Sequence, residues 1–173
     1  MVPYQFLIRF AAVVSLFLVP LLAPASEVLL NALKQFEGRW SGTFNLHSAA
    51  TGYSETFAVT QQYWMSGKQL RGVAVFEREN GQESAQSVTY IFEDKLVSEI
   101  SSGAKIEKYL GVLNEGGVLW LPEDFKRAND YQITETIVVE DGKRVLKTDG
   151  FDTFVYQEGL AYITIRGNLI FQE

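Results

Sequence analysis

The sequence predicts an all-β protein, a closed up-and-down antiparallel barrel of about ten strands preceded by one short helix. Three observations lead there. Beyond residue 38 the chain is a succession of runs rich in Val, Ile, Thr, Tyr and Phe, divided by short turn pairs. No second helical pattern interrupts them, so no crossover exists to make the strands parallel. A long meander of this kind removes its exposed edges most simply by closing on itself.

Met1 to Ala25 carries one charge, Arg9, then the uncharged run Phe10 to Leu22 and the small residues Ala23-Pro24-Ala25. That is the pattern of a secretory signal peptide spanning residues 1–25, too short and too proline-broken to span a bilayer stably. With cleavage after Ala25, residues 26–173 form a single domain with 14 basic and 21 acidic residues, a net charge of −7. The expected location is the periplasm or the medium. Ser26 caps a helix of about three turns in which Leu29, Leu30, Leu33 and Phe36 share a face before Gly38 ends it. Turn pairs at Ser66-Gly67, Asn80-Gly81, Ser102-Gly103, Gly116-Gly117, Asp141-Gly142 and Glu158-Gly159 divide the rest of the chain. Strands are expected at 39–46, 54–64, 69–78, 86–93, 95–101, 105–113, 117–121, 130–140, 143–148, 151–157 and 160–171. Pro122 to Asn129 reads as a surface loop, and the acidic runs Glu77 to Glu83 and Glu123 to Asp130 as solvated surface.

Composition removes several classes of function. The 173 residues include no cysteine and one histidine, His47, and carry a formal charge of −6. That sign opposes binding to phosphate backbones, so nucleic acid is not an expected partner. Without cysteine the fold holds by burial and backbone pairing alone. His47 sits where the first strand runs into a loop and reads as exposed. Zinc, a Ser-His-Asp triad and a phosphate-cradling glycine loop all lack their residues, and no cofactor is implied.

Alternation assigns the inward faces. Phe57, Val59 and Tyr63 share one face; so do Val88, Tyr90 and Phe92, and so do Tyr131, Ile133, Ile137 and Val139. Glu135 falls on the last of these apolar faces. The final strand leaves two faces open, Ile163, Ile165, Leu169 and Phe171 against Tyr162, Thr164, Arg166 and Asn168. Phe57, Tyr63, Tyr90, Trp120, Tyr131 and Glu135 are therefore the candidates for lining a ligand cavity. Glu135 has two readings. It is either a carboxyl that meets a ligand amine or hydroxyl, or moves a proton, or it is a structural acid at the rim or paired with Arg71.

The segment Phe36-Glu37-Gly38-Arg39-Trp40-Ser41-Gly42 resembles the Gly-x-Trp signature that opens the first strand in the calycin superfamily, the lipocalins and their fatty-acid-binding relatives. In that superfamily a short helix or turn precedes the motif and a basic residue of the final strand packs across the tryptophan. The resemblance assigns that role to Arg166, so Gly38, Trp40 and Arg166 make the structural signature. It is nearest to bacterial lipocalin-like proteins of unknown function. It implies a barrel that binds a small apolar or aromatic molecule without catalysis, with a protein partner left open. Haem-binding relatives share the Gly-x-Trp-x-Gly opening but use a late histidine, and no histidine follows His47. Two alternatives remain, an isomerase or cyclase in which Glu135 moves a proton and a filled barrel serving as an envelope interaction module.

Overall fold

The computed structural model describes residues 25–114, 116–156 and 159–173; the expected leader lies outside them apart from Ala25. One helix, α1 (Ala25–Gln35), precedes ten strands: β1 (Gly38–Ser48), β2 (Tyr53–Ser66), β3 (Gln69–Arg78), β4 (Gly81–Phe92), β5 (Lys95–Ser102), β6 (Lys105–Asn114), β7 (Gly117–Pro122), β8 (Tyr131–Glu140), β9 (Lys143–Tyr156) and β10 (Gly159–Gln172). Each strand pairs antiparallel with its sequence neighbours, and β10 returns to β1, so the sheet closes as an up-and-down barrel. A 3₁₀ turn at Phe125–Arg127 lies in the connection expected at Pro122 to Asn129. Among the described residues no helix is long and apolar enough to cross a membrane.

The count is ten strands because the two segments expected at 143–148 and 151–157 are one strand, β9. Gly150 keeps it continuous. A Cβ there would lie 2.0 Å from the Gln132 carbonyl oxygen on β8, so only glycine lets the two backbones approach this closely. A glycine between two apolar runs is a bend in sequence but a close approach in space.

The helix plugs one end. Leu29, Leu33 and Phe36 are buried against Trp40, Leu70, Leu96, Val118, Leu146 and Leu169, which come from the barrel ends nearest α1. The Trp40 indole N–H donates to the Phe36 carbonyl at 2.8 Å, taking up an acceptor that the end of the helix leaves free. Glu37 accepts from the Met65 backbone N–H at 3.1 Å, which fastens the same corner to β2. Gly38, first residue of the signature, has φ +123°, and a Cβ would lie 2.3 Å from the Phe171 ring. The position therefore requires glycine twice over, for conformation and for space.

The cation over Trp40 is Arg144 of β9, not Arg166. Its guanidinium lies 5.1 Å from the Trp40 ring centroid and 4.6 Å from that of Phe171, and it donates to the Gln35 carbonyl. Arg166 is excluded by parity and by distance. On β10 the odd residues Ala161, Leu169 and Phe171 face inward, so Arg166 points out, opposite Asn45, and pairs with Asp149 at 3.5 Å in solvent. It also lies five residues from Phe171, the partner of Trp40, which is roughly 16 Å along the strand.

These geometries separate the two arginines energetically. Arg144→Met should lower the free energy of unfolding by about 1–2 kcal/mol, since it loses a partly desolvated cation–π contact and a helix-terminal hydrogen bond. Arg166→Met should change it by less than about 0.5 kcal/mol, as an exposed pair contributes little. Urea unfolding followed by tryptophan fluorescence measures both; equal losses would contradict the assignment.

Candidate functional site

The barrel interior above the helix plug is not filled. Two adjoining chambers occupy it. The lower, about 100 Å³, has Leu33 and Phe36 in its floor and Tyr109, Trp120 and Ile133 in its wall. The upper, about 300 Å³, lies among Phe44, Leu46, Gln61, Phe76, Ala85, Thr148 and Ile165. Tyr63, Ser87, Ile100, Tyr131, Ile133 and Glu135 line both. One water needs only about 10–15 Å³ of such space, so each chamber has room for more than a trapped solvent molecule.

Space survives among so many rings because interior glycines stand opposite them. Tyr63 of β2 pairs with Gly72 of β3, Trp120 of β7 with Gly111 of β6, and Phe44 of β1 with Gly167 of β10. At each glycine a Cβ would lie within 2.5 Å of the partner ring. The rings therefore lie against the wall of the next strand and do not reach for the barrel axis. Phe44, Phe57 and Phe76 continue this layer as edge-on pairs with 6.2 Å centroid separations, capped by Arg78 at 5.0 Å from the Phe57 ring. Arg78 in turn pairs with Glu55 at the open end.

The candidates divide accordingly. Tyr63, Tyr131 and Glu135 line both chambers and Trp120 lines the lower one. Phe57 is inward and buried, but it belongs to the phenylalanine layer and reaches neither chamber. Tyr90 is a correction: it points outward, its hydroxyl donating to Glu99 at 3.0 Å, and Phe92 is exposed on the same outer face. On β4 the inward residues are Ser87, Thr89 and Ile91, and Thr89 donates to Ser98 of β5 at 3.0 Å. Register settles this. Thr89 pairs with Leu70 of β3, which is buried in the core, so the face carrying Thr89 must be the inner one whatever its hydrophobicity. His47 lies near the end of β1, exposed as expected.

Alternation places Ile133 and Glu135 correctly on one inward face, but it does not single out the polar contributors Gln61, Ser87, Thr89, Ser98 and Thr148. Their residue types suit an outer face equally well. The helix residues Leu33 and Phe36 are legible as an apolar stripe, though not as the floor of a cavity.

Glu135 is the centre of the site. It sits on β8 between Val118 of β7 and Thr148 of β9, facing the chambers. The Trp120 indole N–H donates to Glu135 Oε2 at 2.7 Å. Burial raises the carboxyl above the usual glutamate range, and the Trp120 bond draws it part of the way back. Burial is also the first cause that lifts the Tyr63, Tyr109 and Tyr131 phenols above the ordinary range, with the Glu135 charge adding to it at Tyr63 and Tyr131. These hydroxyls are neutral at physiological pH. Tyr109 and Tyr131 pack with ring centroids 4.8 Å apart. Thr148, 6% exposed, has a hydroxyl with no hydrogen-bond partner among the described residues. The chambers thus combine aromatic and aliphatic walls with one carboxyl and a few hydroxyl and amide side chains.

A raised folded-state value means that the folded chain binds more protons than the unfolded one between the two pKa values. The stability that goes with the neutral carboxyl is complete below the unfolded value and is lost as pH rises through the folded one. Glu135→Gln keeps an acceptor for Trp120 and removes the ionisation. It should match the wild type in thermal stability at about pH 4 and exceed it increasingly toward about pH 8. Melting curves across that range test the sign; a variant less stable at the upper end would contradict the burial of an unpaired carboxyl.

Comparison with known proteins adds no kinship to this geometry: no family model and no curated protein matches the chain.

Proposed function

We propose that the protein is an exported, calycin-like binding barrel that holds a small apolar or aromatic molecule in its interior without transforming it. The observation that carries this reading is the pair of ring-lined chambers inside a closed ten-strand barrel. Such concave, mostly apolar spaces with a few convergent polar groups are the usual form of a small-molecule site. The Gly38-x-Trp40 opening and the helix that precedes it support the superfamily, although its basic partner comes from β9 and not from the final strand. The leader-like residues 1–25 support export.

A neutral fluorescent probe, N-phenyl-1-naphthylamine, tests the reading. It should brighten on titration and quench the tryptophan emission. Ile100→Trp, which fills space common to both chambers, should weaken binding at least about tenfold while far-UV circular dichroism is preserved. Absence of probe binding would favour a filled interaction module and end the proposal.

One observation favours a second reading. Glu135 is half-buried in the lining of both chambers with Oε1 free of any described partner, the placement an acid or base needs in an isomerase or cyclase. Under that reading Glu135→Gln retains the ligand and abolishes its turnover, which mass spectrometry of bound material before and after incubation would reveal.

A further inference from the structure

The chambers have an unbalanced charge. Among the described residues Glu135 is the only side chain lining them that can carry a full charge near neutral pH, and no Lys, Arg or His lines either. Nor does any described salt bridge reach it. Buried carboxylates are ordinarily paired, because an isolated one carries a large desolvation penalty. Among the described residues its one hydrogen bond comes from the Trp120 N–H to Oε2, a donor that favours the ionised form and leaves Oε1 open.

The rest of the lining brings no countercharge to that oxygen. Thr148, directly opposite Glu135 in the β8–β9 register, lines the upper chamber with it and brings no charge, and its Oγ1 is sealed from the cavity. Tyr63 and Tyr131 flank the same space and Trp120 lies below, supplying π faces that attract cations. A ligand carboxylate would meet like charge. A ligand hydroxyl could donate to Glu135 and still leave its charge uncompensated. An ammonium group supplies donors for Oε1 together with the missing positive charge.

We infer that the chambers take an amine, a protonated nitrogen on an aromatic or aliphatic body, with its cation against Glu135 Oε1 and its body among the rings. This rests on the reading of the barrel as a binding protein and names the ligand class. The unpaired acid is then half of an ion pair whose other half arrives with the ligand.

Three probes of matched size separate the head groups: 2-phenylethylamine, 2-phenylethanol and 3-phenylpropanoate, titrated calorimetrically into the full barrel at neutral pH. The amine should bind at least about tenfold more tightly than the alcohol, and the acid most weakly. In Glu135→Gln the preference for amine over alcohol should vanish. Equal or tighter binding of the alcohol to the wild type, or a preference that persists in the variant, overturns the inference. The comparison within the wild type stands without any variant. If N-phenyl-1-naphthylamine binds and the amine is not preferred, the amine inference alone falls. If neither that probe nor any of the three compounds binds, the binding reading falls with it.

Discussion

The barrel depends on Trp40. Its ring is fully buried at the plugged end, edge-on to Phe171 at 5.1 Å and beneath the Arg144 guanidinium. Its N–H holds the Phe36 carbonyl, while Arg144 holds the neighbouring Gln35 carbonyl. One side chain therefore joins the helix end, the first strand, the last strand and the penultimate strand. Closure requires the first and last strands to meet, and contacts separated by most of the chain carry the largest loop-closure entropy. A chain with no disulfides must offset that cost by burial at the seam, and the plug made by Leu29, Leu33 and Phe36 supplies the remaining apolar cover.

The plug also sets where the interior can be empty. Around the helix, aliphatic and aromatic residues of the strands pack into the core cluster; where glycines stand opposite aromatic rings, the wall is thinned and space is left inside the barrel. Gly111 is the consequential one, because it seats Trp120 flat enough for its N–H to reach Glu135. The carboxyl is held by that bond in a setting that opposes its charge. An apolar residue there would suit folding better, and among the described residues Glu135 is the one acid in an otherwise uncharged lining, a local conflict between the site and the stability of the fold.

Much of this is legible residue by residue. The helix stripe, the strand segments and the inward placement of Tyr63, Tyr131, Ile133 and Glu135 come from periodicity, because on those strands the apolar face and the inner face coincide. Two positions show where that rule stops. On β4 the aromatic face, Tyr90 and Phe92, is outside and the Ser87 and Thr89 face is inside, since β4 must match the parity of Leu70 on β3. At the seam the sequence offers Arg166 on an ambiguous strand, while the residue that reaches Trp40 is Arg144, one residue past the Val145 to Ile170 pair that ends the β9–β10 ladder. In both cases the deciding information is strand register, which no single segment contains.

The sequence by itself determined the class of fold, the short helix with its apolar stripe, the want of thiols and spare imidazoles, and the presence of an acid on an apolar face. These are local properties: period, turn chemistry and composition. The tertiary structure alone decided that β9 runs unbroken, that Arg144 caps Trp40, that the chambers exist, and that Glu135 meets Trp120 on one side and faces Thr148 on the other. Each depends on which residues stand opposite one another across strands. Pairing is fixed only when the sheet closes and every strand's inward parity must agree with its two neighbours at once.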